Sequence, residues 1–265
     1  MPFFTLLLTL AAAATGAPDW QELAPGMQQT IVAAPAADGA AQIVVLRVDA
    51  REWQLELVGA NDADGKAHTA HEWARQHAFA AVINAGMFRR DYSTHVGYLQ
   101  SHERIGNAHA NDYRSVAAFD PRDAGLPAFR IFDLDAPQVT LAGILKDYAS
   151  ATQNLRLIRR PGTNQWPPQQ RRWSEAALGE DADGRMLLIF CRAALPMHDL
   201  NEALLNAGIG IVAAQHLEGG PEAQLYLHVG DLEHEWFGSY ETSFREDDGN
   251  AAAWPIPNVL GVRRR

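Results

Sequence analysis

Residues 216–227 place two adjacent glycines between two strand-like runs, and this pattern constrains the fold more than any other part of the chain. Residues 209–214 are mostly apolar and residues 224–229 alternate polar with apolar side chains, so both runs favour extended backbone. Gly219 and Gly220 permit positive φ angles and a close approach of another group to the backbone. The sequence therefore predicts a sharp turn between two strands.

An imidazole and a carboxylate precede this turn. Side chains two residues apart in a strand point to the same face, so His216 and Glu218 would be presented together at the strand end. Such a pair is suited to proton transfer. The same spacing also fits an ordinary hairpin turn with a solvated Glu218, because glycine turns are common.

The charge balance restricts the classes of partner. The 265-residue chain has 32 acidic and 22 basic residues, a formal net charge of -10, which opposes broad binding of nucleic acid or anionic lipid. A phosphate site would need a local cluster of arginines. Cys191 is the single cysteine, which excludes an internal disulfide, and its apolar neighbours predict a buried, inert thiol.

The N-terminal segment has the pattern of a secretory signal peptide. Residues 3–14 are apolar and are followed by small residues at 14–17, which predicts a signal peptide over residues 1–17 and a secreted or periplasmic protein. The run is too short for a membrane span, so no integral membrane segment is expected after cleavage. Residues 18–265 would form one domain.

Local patterns predict both helices and strands along this domain. Thr69 and Glu72 have the spacing of a capping box and predict a helix over 69–78, and a second helix is predicted over 199–207. Residues 42–48 and 53–58 are predicted as a hairpin, and the turn at 181–184 as another.

The stretch 156–173 is rich in arginine and is predicted as a basic loop. Hairpin signals outnumber βαβ signals along the chain, so the predicted class is α+β. We expect a single domain with a mixed, mostly antiparallel sheet flanked by a few helices.

Five short motifs, taken in order, resemble the phosphodiester glycosidase family. They are Ile83-Asn84-Ala85-Gly86-Met87-Phe88, Ala151-Thr152-Gln153, Arg172 ahead of Ala177-Leu178-Gly179, the turn Asp183-Gly184-Arg185, and Leu217-Glu218-Gly219-Gly220. The resemblance covers about residues 42–262, with the motifs concentrated in about 78–262. The chain departs from the family where Glu218 replaces the usual aspartate and where Pro221 and Glu222 follow the glycines.

The resemblance implies a hydrolase that cleaves the glycosidic bond of a sugar 1-phosphodiester. Glu218 would be the general base or nucleophile, with His216 tuning it or shuttling a proton. Arg172, with Arg171 or Arg192, would clamp the phosphate, since guanidinium matches phosphate oxygens in paired hydrogen bonds. The expected ligand is a glycosyl phosphodiester or a cell-envelope polysaccharide.

The remaining candidate site residues are expected to bind substrate. They are Asn84, Gly86, Gln153, Gly219 and Gly220. Competing interpretations stay open: Asn84 could be a buried turn-stabilising amide, and the arginines could be solvated on a loop. Glu222 and Asp91 are candidates for a second carboxylate, and Trp166, Trp236 and Trp254 could stack on sugar faces or pack in the core.

No cofactor or metal is predicted, because the ten histidines include no HExxH or comparable cluster. Two alternatives to the glycosidase remain. The altered turn after Glu218 fits a non-catalytic glycan-binding protein on the same scaffold, and the histidines with acidic residues fit a metal-dependent phosphoesterase.

Overall fold

The computed structural model describes residues 17–36, 39–60 and 64–265, and the predicted signal peptide falls outside them except for its last residue. Within these residues the chain forms eighteen strands and three α-helices. The strands are β1 (Gln21–Ala24), β2 (Met27–Ala36), β3 (Gly39–Val48), β4 (Trp53–Gly59), β5 (Ala81–Asn84), β6 (Leu99–Ser101), β7 (Arg104–Asn107), β8 (Ser115–Pro121), β9 (Phe129–Asp133), β10 (Tyr148–Asn154), β11 (Arg156–Arg159), β12 (Thr163–Asn164), β13 (Trp173–Asp181), β14 (Met186–Leu195), β15 (Ile211–Gly219), β16 (Gln224–Val229), β17 (Leu232–Phe237) and β18 (Asn258–Arg264). The helices are α1 (Ala70–His77), α2 (Leu141–Asp147) and α3 (Met197–Asn206).

The strands form three antiparallel sheets. The first has the order β1-β2-β3-β14-β13-β15-β11-β12, the second β7-β6-β10-β8-β9 and the third β17-β16-β5-β18-β4. We call them the eight-stranded, the β10 and the β5 sheet. The predicted α+β class with mostly antiparallel pairing is confirmed, and the strands are divided among three sheets.

The three sheets share one hydrophobic core. Leu188 of the eight-stranded sheet, Phe119 of the β10 sheet and Leu260 of the β5 sheet belong to the same buried cluster, and each is at most 2% exposed. The outer face of each sheet carries one helix: α1 on the β5 sheet, α2 on the β10 sheet and α3 on the eight-stranded sheet. Burial of both sheet faces explains the continuous apolar runs in strands such as β14.

Helix α1 begins at the residues whose spacing predicted a capping box. The Thr69 hydroxyl accepts a hydrogen bond from the Glu72 N–H at 3.2 Å, and the Glu72 carboxylate accepts one from the Thr69 N–H at 2.8 Å. This reciprocal pair satisfies two N–H groups that the helix itself leaves free. The predicted capping box is therefore confirmed.

The hairpin predicted for residues 42–58 is wrong, and so is the hairpin alternative for the glycine pair. β3 pairs with β2 and β14, whereas β4 pairs with β18 in another sheet, so residues 49–52 carry the chain between sheets. The two strands around the glycine pair likewise belong to different sheets, since β15 pairs with β13 and β11, whereas β16 pairs with β5 and β17. Sequence patterns indicate a turn but not the partner that each strand finds across it.

Other local predictions have mixed outcomes. The turn at 181–184 joins the paired strands β13 and β14 and is confirmed as a hairpin. The stretch 156–173, predicted as a loop, contains β11 and β12, because Leu157 and Ile158 are buried against α3 and the eight-stranded sheet. Cys191 is a free, buried thiol, and burial raises its pKa to about 12, as expected for an inert cysteine.

Candidate active site

A cleft of about 240 Å³ lies where the three sheets meet. The eight-stranded sheet contributes side chains from the start of β13 and the end of β15, Leu155 follows β10, and Met87 follows β5. Loops complete the wall with Tyr113, Trp166, Gln169, Arg171 and Glu241. Because strands from separate sheets end at this seam, residues distant in sequence converge here.

The pairing of β15 with β13 positions the two predicted catalytic residues. Glu218 pairs with Ala176 and His216 with Ala177, so the register skips Leu217 and forms a β-bulge. Leu217 is fully buried in the core, whereas both His216 and Glu218 line the cleft. The structure therefore brings the predicted imidazole and carboxylate to one site.

A buried glutamate that the sequence interpretation missed holds His216. Glu175 is fully buried, and both of its oxygens lie 2.8 Å from His216 Nδ1. Trp173 Nε1 donates a further hydrogen bond to Glu175 at 2.7 Å. Burial opposes a charged imidazolium, but the Glu175 carboxylate, with Glu218 and Glu241, outweighs burial and raises the pKa of His216. His216 Nε2 is the nitrogen left to interact with a ligand.

Glu218 is half-buried beside this pair. Its Oε1 accepts a hydrogen bond from the Gly219 N–H at 3.0 Å. Burial, aided by the charges of Glu222 and Glu241, raises the pKa of Glu218 to about 8, although His216 opposes the shift. At neutral pH most Glu218 side chains therefore carry a proton, the state of a general acid.

A second carboxyl group in the cleft belongs to Glu241, in the loop after β17. Burial raises the pKa of Glu241, and the neighbouring charges of His216 and Arg171 limit the rise. Gly220 has φ +62°, and a Cβ there would lie 2.7 Å from Glu241 Oε2. The glycine therefore makes room for the carboxylate. No motif in the sequence indicated Glu241.

Of the three candidate arginines, Arg171 is the one that lines the cleft. The Arg172 guanidinium lies 5.0 Å from the Tyr240 ring centroid, outside the cleft lining. Arg192 donates hydrogen bonds to the carbonyls of Phe237 at 2.8 Å and Asn250 at 2.9 Å, and so stabilises the loop that carries Glu241. Arg171 and Arg172 are neighbours in the segment just before β13, yet only Arg171 lines the cleft.

The two amide side chains that were predicted to bind substrate lie behind the cleft wall. Asn84 donates to the Glu222 carbonyl at 2.9 Å and accepts from the Gln224 N–H at 2.7 Å, so it stabilises the 3₁₀ turn Gly220–Glu222. These contacts match the interpretation of Asn84 as a buried amide that stabilises a turn. Gln153 accepts from the N–H groups of Tyr98 and Asn111 and donates to the carbonyls of Asn111 and Tyr113. Its contacts fix the loop that presents Tyr113.

The predicted glycines are sites of close approach. Gly219 lines the cleft, and a Cβ there would lie 2.8 Å from the Trp173 ring. Gly86 has φ +149°, and a Cβ would overlap the side chains of Asn154 and His95. Any side chain at either position would displace a wall of the site or the layer behind it.

The two carboxylates suggested as partners of Glu218 are placed differently. Glu222 accepts a hydrogen bond from the Tyr92 hydroxyl at 3.2 Å, at the edge of the site. Asp91 caps its own turn, where hydrogen bonds from Thr94 and Ser93 lower its pKa to about 2. Neither residue lines the cleft, whereas Glu241 does.

Aromatic side chains form much of the remaining wall. Trp166 and Trp173 are T-shaped with ring centroids 6.1 Å apart, and both line the cleft. Trp236 and Trp254 lie outside it. Among the described residues, no group of three or more His, Cys, Asp and Glu is placed to hold a metal ion. No described helix is long and apolar enough to cross a bilayer.

Comparison with known sequences identifies a family. The family model described as phosphodiester glycosidase matches residues 77–263. No curated protein matches the chain in sequence.

Comparison with solved structures shows a shared fold. The chain is similar to the catalytic domain of zebrafish N-acetylglucosamine-1-phosphodiester alpha-N-acetylglucosaminidase, auto-inhibited by its pro-peptide, with a TM-score of 0.65 and 13% identity over 94% of this chain and 87% of that chain. It also resembles a hypothetical protein from Synechocystis, with a TM-score of 0.57 and 14% identity over 94% and 64% of the two chains. A protein from Burkholderia pseudomallei K96243 described as exported has a TM-score of 0.50 and 12% identity over 84% and 74%.

Proposed function

The chain belongs to the phosphodiester glycosidase family, and from that premise we propose that it hydrolyses the glycosidic bond of a sugar 1-phosphodiester. The observation that carries the proposal is the convergence of Glu218, His216 and Arg171 in one cleft walled by aromatic rings. A sugar face packs well on such rings, and guanidinium and imidazolium groups pair with phosphate oxygens. The products would be a free sugar and a phosphomonoester.

Arg171 and His216 are proposed to bind the phosphate. Arg171 supplies a fixed positive charge, and Glu175 accepts a hydrogen bond from His216 Nδ1 and raises the pKa of His216 against the effect of burial, which favours the imidazolium. His216 Nε2 then donates a hydrogen bond toward the ligand. A Glu218 that carries a proton at neutral pH adds no negative charge beside the phosphate, which favours binding of an anion in a cleft that contains several carboxyl groups.

Glu218 and Glu241 are proposed as the acid and the base. Glu241 takes a proton from water as the water oxygen bonds to the anomeric carbon. The bond between that carbon and the phosphate oxygen breaks, and Glu218 gives its proton to the departing oxygen. Glycoside hydrolysis uses a pair of carboxyl groups, and Glu218 and Glu241 both line this cleft. Glu218, expected from the sequence as a base or nucleophile, is given the acid role because of its pKa.

The test measures sugar released by the purified protein from a panel of glycosyl 1-phosphodiesters. We expect Glu218→Gln and Glu241→Gln each to lower kcat by about 100-fold or more, since each removes an acid–base step. Glu235→Gln is the matched control, because Glu235 is exposed on β17 and lies outside the cleft. Release of no sugar from any member, or full activity in Glu218→Gln, would refute the proposal.

The same panel separates the glycan-binding alternative. A binding protein on this scaffold would give a heat of binding in calorimetry without releasing sugar. The aromatic walls of the cleft are compatible with both functions, whereas the raised pKa of Glu218 and the presence of a second carboxyl group, Glu241, in the same cleft favour turnover. For the phosphoesterase alternative, chelation would have to abolish activity and added metal would have to restore it.

We also propose that the protein is exported, on the basis of the apolar run at residues 3–14 and the small residues that follow it. Expression of the full chain in a Gram-negative host should place the mature protein in the periplasmic fraction. Its N-terminal sequence should begin close to Pro18. A cytoplasmic product that retains Met1 would contradict this expectation.

A further inference from the structure

A second chamber of about 250 Å³ adjoins the cleft. The two spaces share Tyr113, Leu155 and Trp166 as common wall residues. A ligand longer than the cleft would therefore pass between these side chains into the second chamber.

The shared aromatic walls are held in place before any ligand arrives. Trp166 Nε1 donates to the Arg156 carbonyl at 2.7 Å, and the Trp166 N–H donates to Asn164 Oδ1 at 3.1 Å. The Tyr113 carbonyl accepts from Gln153 Nε2 at 2.7 Å. Because both loops are fixed by hydrogen bonds, the rings can bind a flat apolar surface at little cost in conformational entropy.

The chemistry of the second chamber fits hydroxyl groups. Its polar side chains include Arg114, Arg156, Asp112 and Gln165. Arg156 forms ion pairs of 2.6 and 2.8 Å with two aspartates outside the chamber, so its charge is compensated. The Arg114 side chain is half exposed and lies 3.5 Å from its nearest carboxylate. Donors and acceptors with little net charge match a neutral sugar unit better than a second anion.

The positions of the charged groups give the direction of the ligand. Arg171, the proposed phosphate ligand, interacts with Glu241 and lines the cleft but not the second chamber. Tyr113 lines both spaces, and the charge of Glu218 is among those that raise its pKa, after burial. Because Arg171 does not line the second chamber, the chamber opens at the end of the cleft away from Arg171, and a sugar placed toward it leaves Glu218 beside the bond to the phosphate.

We propose that the second chamber binds a further sugar unit on the glycone side, so that the preferred substrate is an oligosaccharyl rather than a monosaccharyl 1-phosphodiester. This inference rests on the proposed function for the direction of the substrate. The first sugar lies between Tyr113 and Trp166, and the next one contacts Arg114 and Gln165. The site would then release an oligosaccharide from its phosphodiester in preference to a single sugar.

The test is calorimetry, which does not depend on turnover. The probes are glucose 1-phosphate and maltose 1-phosphate, together with N-acetylglucosamine 1-phosphate and chitobiose 1-phosphate. We expect at least one disaccharide phosphate to bind about 5- to 10-fold more tightly than its monosaccharide phosphate, because about one added net hydrogen bond gives that factor. Gln165→Ala and Arg114→Gln should remove this gain and leave monosaccharide binding unchanged.

Matched controls lie close to both variants. Gln170 is exposed on the same segment as Gln165 but lines neither space, and Arg122 is an exposed arginine outside both. Gln170→Ala and Arg122→Gln should therefore retain the gain.

Three results would overturn the inference: equal affinity within both pairs, no binding of any probe, or a disaccharide gain that persists in both Gln165→Ala and Arg114→Gln. Failure to release sugar while the disaccharide gain persists would instead refute only the proposed hydrolysis.

Discussion

Gly220 leaves a space beside the cleft that any larger residue would fill. Its positive φ allows the chain to enter the 3₁₀ turn after β15, and its missing Cβ leaves space for the Glu241 carboxylate. Glu241 has no sequence motif of its own, and it reaches the site because Arg192 and Asn250 hold the loop around it.

The Gly220–Glu241 contact gives a residue-scale prediction with a matched control. Gly220 and Gly230 have nearly equal φ angles, +62° and +60°, but a Cβ at Gly230 meets nothing within 4 Å. Both Gly→Ala variants should lose about 1 kcal/mol of unfolding free energy from the left-handed backbone. Gly220→Ala should lose more and should also lower sugar release by about 10-fold or more, because Glu241 is displaced.

Urea unfolding and the phosphodiester assay measure these two effects. If Gly220→Ala matched Gly230→Ala in both stability and activity, the close approach of Glu241 to Gly220 would matter for neither.

Individual site residues were predictable only where side-chain direction followed from the local backbone. His216 and Glu218 belong to one strand, and their common side could be read from spacing, although the bulge at Leu217 could not. Arg171 and Arg172 are adjacent, and nothing in the sequence tells which of the two lines the cleft. Glu175 is one of three acidic residues in a strand that is buried throughout, with Glu180 and Asp181, so the sequence shows acidic residues in β13 but not which of them contacts His216.

At the scale of elements, β13 and β15 form the support for the site. Their pairing places Glu175 opposite Gly219 and so brings the buried carboxylate under His216. Elements with strong local signals, such as α1 and the β13–β14 turn, could be predicted from the sequence. The strands joined by residues 49–52 and by the glycine pair could not, because sheet membership depends on contacts between distant segments.

The helix caps give the element-scale prediction. Thr69 caps α1 through a reciprocal pair of hydrogen bonds, whereas Thr140 caps α2 by accepting a single bond from the Gly143 N–H at 3.1 Å. Thr69→Ala and Thr140→Ala should each lower the unfolding free energy by about 1 kcal/mol, with the larger loss at Thr69.

Both helices pack on outer sheet faces, so sugar release should be unchanged in either variant. An equal or larger loss of stability in Thr140→Ala would contradict the ranking. A loss of activity at either position would show that the helix ends are coupled to the cleft.

At the scale of the whole molecule, three sheets around one core leave a seam, and the cleft lies at that seam. This arrangement buries ionisable groups that a single sheet would leave in water. The α+β class follows from the sequence, but the seam does not, because it depends on how three separate sheets close on each other. The burial of Glu218 is therefore a property of the assembled fold.

The free energy of unfolding of the whole chain should depend on pH through Glu218. Below its ordinary pKa of 4.5, Glu218 is protonated in both the folded and the unfolded chain. Between that value and about 8 the unfolded chain releases the proton while the folded chain keeps it, so the folded state loses stability as pH rises. Above about 8 the penalty for the buried charge is complete.

Glu218→Gln removes this ionisation while keeping an acceptor for the Gly219 N–H. The variant should therefore match the wild type near pH 4 and exceed its unfolding free energy by about 1–3 kcal/mol at pH 8, a range that allows for solvent at the half-buried group. Urea unfolding of both proteins across this pH range measures the difference. A difference that did not change with pH would mean that Glu218 titrates normally, and the acid role proposed for it would lose its basis. The same substitution should stabilise the fold at pH 8 and lower kcat by about 100-fold or more, because in the proposed mechanism Glu218 gives its proton to the departing oxygen.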